Sequence, residues 1–277
     1  MTEAWDWPSE MKKVFETFDG HEGVFIQFGD SLTLAAPNTH WTRCGTGHTT
    51  EERRFLKWTH ARKNNQKNGW YLATAERLVE PPQITTFTAA IGCSAKYLLI
   101  GRRGLPPLKD LIAAYDPQLA LYAIGTSDIV RKTPIDEYIQ DVEKAIDLLE
   151  ENGTVPIVST LTPSRQFNNE VLKFNETLRA FAEKRNLPLL DIFAEMERRN
   201  KNIFDFLAED GVHLTWSPPE GAPTKENLLK SGYFLRCYLT VRKGIEVKEK
   251  VFDDKENAAK SATRWTARSI PHLWKRL

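Results

Sequence analysis

The sequence predicts an α/β fold, a three-layer sandwich in which helices cover both faces of a mostly parallel, doubly wound sheet. Three observations predict it. Short apolar runs recur without polar alternation, as strands buried on both faces require. The stretches between them carry apolar residues at helical spacing. Strand-like and helix-like segments alternate through the middle of the chain, the rhythm of right-handed crossovers. In such sheets ligands bind beyond the carboxyl ends of the strands.

The elements follow in order. Gly23 to Phe28 form the first apolar run, stopped by Gly29-Asp30-Ser31 as by a tight turn. Leu119 to Ile124 form the second, stopped by Gly125-Thr126-Ser127-Asp128; Val155 to Thr160 the third; Leu187 to Leu190 the fourth, ending at Asp191. Between the second and third, Thr133 reads as a helix cap, with Pro134 in the first turn and Gly153 after the end. Ile135, Ile139, Val142, Ile146 and Leu149 mark its apolar face. Asn169 to Arg185 predicts another helix, with Val171, Leu172, Leu178, Phe181 and Ala182 inward. Thr224 to Lys243 reads as one long helix that buries Leu228, Leu229, Tyr233, Phe234, Cys237 and Val241. Two regions fall outside the rhythm. Residues 32–90 hold Trp41, Trp58 and Trp70 among many polar residues and read as an insertion or cap. The basic segment 246–277, with Trp265, Ile270, Leu273 and Trp274, reads as an extension packing back on the domain. The whole is expected to be a single domain.

The 277 residues include 38 Lys+Arg against 37 Asp+Glu, a formal charge of +1. No global field draws the chain to nucleic acid or an anionic membrane, so a small or neutral partner is expected. A chain of this size buries roughly three quarters of its unfolded surface, enough for a core without disulfides. The three cysteines, Cys44, Cys93 and Cys237, are odd in number and widely spread, and read as reduced thiols. No apolar stretch is long enough to span a bilayer. The N-terminus carries no signal-like run. The default expectation is therefore a soluble, cytoplasmic protein, exported if a leader precedes it; the oligomeric state is left open.

The chemistry lies in the loops. Ser31 stands two residues beyond the first strand, where its amide would open the next helix, and a helix N-terminus favours developing negative charge. Asp210 and His213 lie three apart in a tight turn before the last helix. That spacing lets the carboxylate hold one imidazole nitrogen while the other faces a nucleophile. A serine hydroxyl needs such a base, because it must lose its proton as it attacks.

Gly-Asp-Ser alone is a common tripeptide, and an N-capping serine explains it equally well. An Asx turn would explain Asp210, and a backbone-bonded imidazole His213. Together with Asp210-Gly-Val-His-Leu-Thr215 and Gly125-Thr-Ser-Asp128, however, the chain resembles the SGNH (GDSL) hydrolase family of esterases and lipases. The resemblance runs from residue 23 to about 243. It implies a flavodoxin-like three-layer fold, with Ser31 as nucleophile, His213 as base, Asp210 as its orienting carboxylate, and no cofactor or metal. It also implies an oxyanion hole built from the Ser31 amide, a glycine amide and an asparagine side chain. Gly92 is the best-placed glycine, with Gly101 and Gly104 as rivals. At the asparagine position this chain has Ser127, whose shorter arm would fall short of the same oxyanion unless the loop moves or a water bridges. A slow esterase is expected, acting on an acylated carbohydrate or a lipid-like ester. A non-catalytic glycan- or ligand-binding relative, or an unrelated binding protein with accidental motifs, is the alternative.

Other patterns carry less. His40, Cys44 and His48 have a spacing able to hold a metal on a helix, with His60 further on, but Gly45 and Gly47 break that helix. Gly45-Thr-Gly-His48 and Gly101-Arg-Arg-Gly104 miss the phosphate-binding patterns. Trp41, Trp58 and Trp70 are candidates for a sugar-stacking or acyl-binding wall, against ordinary core packing.

Overall fold

The computed structural model describes residues 5–59, 73–74 and 85–253. Helix α1 (Trp7–Phe15) precedes strand β1 (His21–Gly29), which feeds the single turn α2 (Ser31–Leu34). Helices α3 (His40–Cys44), α4 (Thr50–Trp58), α5 (Ala95–Ile100) and α6 (Leu108–Tyr115) lead to β2 (Pro117–Ala123). Then come α7 (Thr126–Val130), α8 (Ile135–Glu151), β3 (Val155–Ser159), α9 (Asn168–Lys184), β4 (Leu189–Leu190), α10 (Ile192–Arg199), α11 (Lys225–Lys230) and α12 (Gly232–Val247).

The four strands pair in the order β1-β2-β3-β4, all parallel. Their residues are almost uniformly buried, which is why they carry no polar alternation. Gly29, already paired with Ala123 of β2, also forms a parallel bridge to Ala89. The segment around Ala89 therefore lies on the other edge of β1. Chain order across the sheet reverses at β1, the switch point where a doubly wound sheet opens its cleft.

Helices α5, α6, α8 and α9 pack together as one layer, and α1, α4, α12 and the turn at residues 248–252 as another. Tyr138, Val142, Ala145, Ile146 and Leu149 of α8 are buried at helical spacing. Ile135 and Ile139 are half-buried, and Pro134, not Thr133, stands at the cap.

Two expectations on the helices are corrected. The helix foreseen over 224–243 is broken at Ser231, which is extended and caps α12 by accepting from the Phe234 amide. Thr215 holds that break from a distant loop, its hydroxyl accepting from the Gly232 amide and its carbonyl from the Ser231 hydroxyl. Leu172 is exposed, because the buried face of α9 runs through Val171, Phe174, Asn175 and Leu178. In the described part of 32–90, read as an insertion or cap, α3 and α4 pack on α12, with Trp41, Phe55 and Leu56 in the core. Trp70, residues 254–277 and their aromatic residues lie outside the described residues.

Candidate active site

Three loops at the carboxyl ends of the strands converge. The first leaves β1 at Gly29, where any Cβ would collide with the Thr33 side chain, so only glycine lets α2 fold back against the strand end. Asp30 caps α2 by accepting from the Leu32 amide at 3.0 Å and is buried. Burial pushes its carboxyl up. The Leu32 amide, the charge of buried Arg236, His213 and the Thr126 hydroxyl all oppose that rise. Arg236 of α12 also donates to Thr33 Oγ1 at 2.7 Å, tying the back of the turn to the second helical layer. Ser31 is left half-exposed as the first residue of α2.

The second loop carries Asp210 and His213. Asp210 Oδ1 accepts from the amides of Val212 and His213, both at 2.9 Å, closing an Asx turn around Gly211. Its other oxygen, Oδ2, lies 2.6 Å from His213 Nδ1. Turn-forming and imidazole-holding roles thus fall on different oxygens of one carboxylate. Burial alone would raise this carboxyl, but the Val212 amide, the His213 side chain and the His213 amide outweigh it and hold it below the usual range. His213 Nε2 sits 2.9 Å from Ser31 Oγ. One hydrogen-bonded line therefore joins Asp210, His213 and Ser31, whose ends are far apart in sequence.

The third loop follows β2. Gly125 has φ +152°, and a Cβ there would meet the Tyr138 hydroxyl and Leu161. Ser127 lies in the first turn of α7, half-exposed, and among the described residues its hydroxyl has no partner. Asp128 is buried and accepts from the Ala95 amide at 3.0 Å. Burial raises its carboxyl to about 7, with the Ala95 amide opposing and Asp30 adding to the rise. Asp128 thereby clamps this loop to the start of α5, just after Gly92. Within the Gly125-Thr-Ser-Asp128 motif, nothing local announces this task for Asp128.

Gly92 has φ +71°, and its carbonyl accepts from Arg131 at 3.2 Å. It lies three residues beyond Ala89, the bridge partner of Gly29. Gly101 ends α5 with a Cβ position blocked by Pro107, and Gly104 stands against Thr85. Both are accounted for by turns.

The remaining candidates do not assemble. His40 bonds Glu220, His48 lies 3.1 Å from the Trp41 carbonyl, and Cys44 is exposed. Among the described residues no cluster of three or more such side chains is set to hold a metal. All three cysteines are free. Trp41 is fully buried against Phe234 and Tyr238, and half-buried Trp58 packs on Phe55 and Phe252, so neither forms a wall to the cleft. Exposed Trp216, three residues past His213, was not foreseen. No described helix is long and apolar enough to cross a membrane.

Fold and loops together define the SGNH hydrolase class. Residues 28–217 match the model of the GDSL-like lipase/acylhydrolase family, and the chain belongs to that family of hydrolases. Among solved structures it is similar to a carbohydrate esterase family 3 protein from Talaromyces cellulolyticus, at 13% identity and TM-score 0.54 over 81% of this chain and 98% of that one. It is also similar to the lipase/acylhydrolase from Enterococcus faecalis, at 15% identity and TM-score 0.51 over 80% and 95% of the two chains. At these identities the likeness concerns the fold. No curated protein sequence matches.

Proposed function

We propose that the protein is a serine ester hydrolase that passes an acyl group through Ser31. The observation that carries this reading is the unbroken line Asp210 Oδ2, His213 Nδ1, His213 Nε2, Ser31 Oγ. Ser31 Oγ attacks the ester carbonyl while His213 Nε2 takes its proton, and Asp210 stabilises the imidazolium. The carbonyl oxygen becomes an oxyanion received by the amides of Ser31 and Gly92 and by the Ser127 hydroxyl. Collapse breaks the ester bond, and the leaving alkoxide takes the proton back from His213. Water then attacks the acyl-enzyme, giving a proton to His213, and a second collapse releases the acid and restores Ser31.

The proximity of Ala89 to Gly29 supports Gly92 as the amide donor over Gly101 and Gly104. The unpartnered Ser127 hydroxyl supports its use in place of a carboxamide. The substrate is an acylated carbohydrate or a lipid-like ester, and the reaction as written calls on no cofactor. The whole chain is read as a single domain, supported by one large hydrophobic cluster from Trp7 to Phe252.

Hydrolysis of p-nitrophenyl acetate and butyrate tests the reading, with folded Ser31→Ala and His213→Ala as controls. Turnover that survives both substitutions rejects it. Ser127 also favours a second reading, a ligand-binding relative without turnover; binding of an ester that persists undiminished in Ser31→Ala, with no hydrolysis by the unsubstituted protein, would select it.

A further inference from the structure

Where the leaving alcohol sits follows from the proton path. Its oxygen must come within hydrogen-bonding reach of His213 Nε2, whereas the acyl carbonyl faces the loops of Gly92 and Ser127. The alcohol portion therefore lies on the imidazole side of the cleft. Trp216 follows His213 by three residues, so its Cα lies within about 11 Å of that of His213. Trp216 is 47% exposed, and its ring meets that of His40 edge-on at 5.6 Å. His40 in turn follows the Ser31 turn, so the contact joins the segments that carry the two halves of the proposed dyad.

His40 is not an ordinary surface histidine. Its Nδ1 lies 2.8 Å from Glu220 Oε2, and the Glu220 side chain is fully buried, with Oε1 lacking a partner among the described residues. Burial raises the Glu220 carboxyl, and His40 and Arg43 oppose the rise. A buried carboxylate fixes the imidazole in one orientation, as a second line of support does at catalytic histidines. The other nitrogen, Nε2, has no partner among the described residues.

We propose that Trp216 and His40, braced by Glu220, form a leaving-group subsite for a sugar ring. An exposed indole face stacks on the C–H face of a pyranose, and a fixed imidazole nitrogen bonds one of its hydroxyls. A hydrocarbon alcohol would leave that nitrogen desolvated and unpaired. The inference rests on the hydrolase reading above and adds its alcohol specificity.

The experiment compares kcat/KM for acetylated methyl xyloside with that for p-nitrophenyl acetate, in the wild type, Trp216→Ala and Trp216→Phe. The ratio between sugar and aryl ester should fall about tenfold in Trp216→Ala, through KM, and be largely restored in Trp216→Phe. Equal falls on both esters, or an unchanged ratio, overturn the subsite. Calorimetric binding of the acetylated xyloside to Ser31→Ala, with and without Trp216→Ala, reads the same site without turnover. Affinity should drop about tenfold with the indole removed, and an equal affinity overturns the proposal. If no ester is hydrolysed and Ser31 resists a fluorophosphonate, the hydrolase reading fails by itself, and the calorimetric comparison still decides the subsite.

Discussion

In the proposed mechanism the proton-transfer side of the cleft and its oxyanion side are built to different standards. On the first, Asp210, His213 and Ser31 stand in one line of hydrogen bonds, with two further amides fixing the carboxylate. On the second, the loop of Gly92 is held by Arg131 on its carbonyl and by Asp128 on the Ala95 amide, while the neighbouring loop after β2 carries the Ser127 hydroxyl. The contrast teaches that pre-organisation and donor strength are separable. Under the proposed mechanism both sides are fixed by hydrogen bonds, and the Ser127 hydroxyl offers a shorter arm than a carboxamide would.

That comparison can be broken first at its strong side. Ser31→Ala and His213→Ala should each lower kcat on p-nitrophenyl acetate by about 10⁴-fold or more, because nucleophile and base act as a unit. Asp210→Asn should cost less, about 10² to 10⁴-fold, since a carboxamide still accepts from the Val212 and His213 amides but leaves the imidazolium without its countercharge. Steady-state rates with circular dichroism as a folding check measure both.

The weak side is sharpened by restoring the carboxamide. Ser127→Asn should raise kcat by about 10-fold or more, given that one oxyanion donor is typically worth 10² to 10³. Unchanged or lower turnover in a folded variant would remove Ser127 from the oxyanion hole.

The smallest effect concerns the clamp behind the loops. Asp128 has its carboxyl raised to about 7 from 3.8, so the folded state binds its proton more tightly than the unfolded chain does. Its contribution is present below about pH 4 and lost as pH rises through about 7. Between pH 5 and pH 8 the wild type should lose a few degrees of Tm, and Asp128→Asn, which keeps an acceptor for Ala95, should lose less. Thermal melts at the two pH values check this; parallel curves for the two proteins would contradict it.

How much of this was legible in the sequence depended on the range of the contacts involved. The strands and the helices α8 and α9 could be read because burial imposes a local period. The turns that carry Ser31, Asp210 and His213 could be picked out because tight turns need particular residues at short spacing, while the roles of the three rested on the resemblance to the hydrolase family. The break at Ser231 could not, since Thr215 imposes it from another loop. Nor could the burial of Trp41 under α12, which depends on how α3 meets Phe234 and Tyr238. His40 and Glu220 stand 180 residues apart, and nothing local in either announces the pair. Trp216 reads as one more tryptophan until its exposure is known.

The central claim is that His213 arms Ser31. Mass spectrometry after treatment with a fluorophosphonate tests it most directly: the account predicts one adduct, on the peptide carrying Ser31, formed far more slowly in folded His213→Ala. An unlabelled Ser31, or labelling at the same rate without the imidazole, would contradict it.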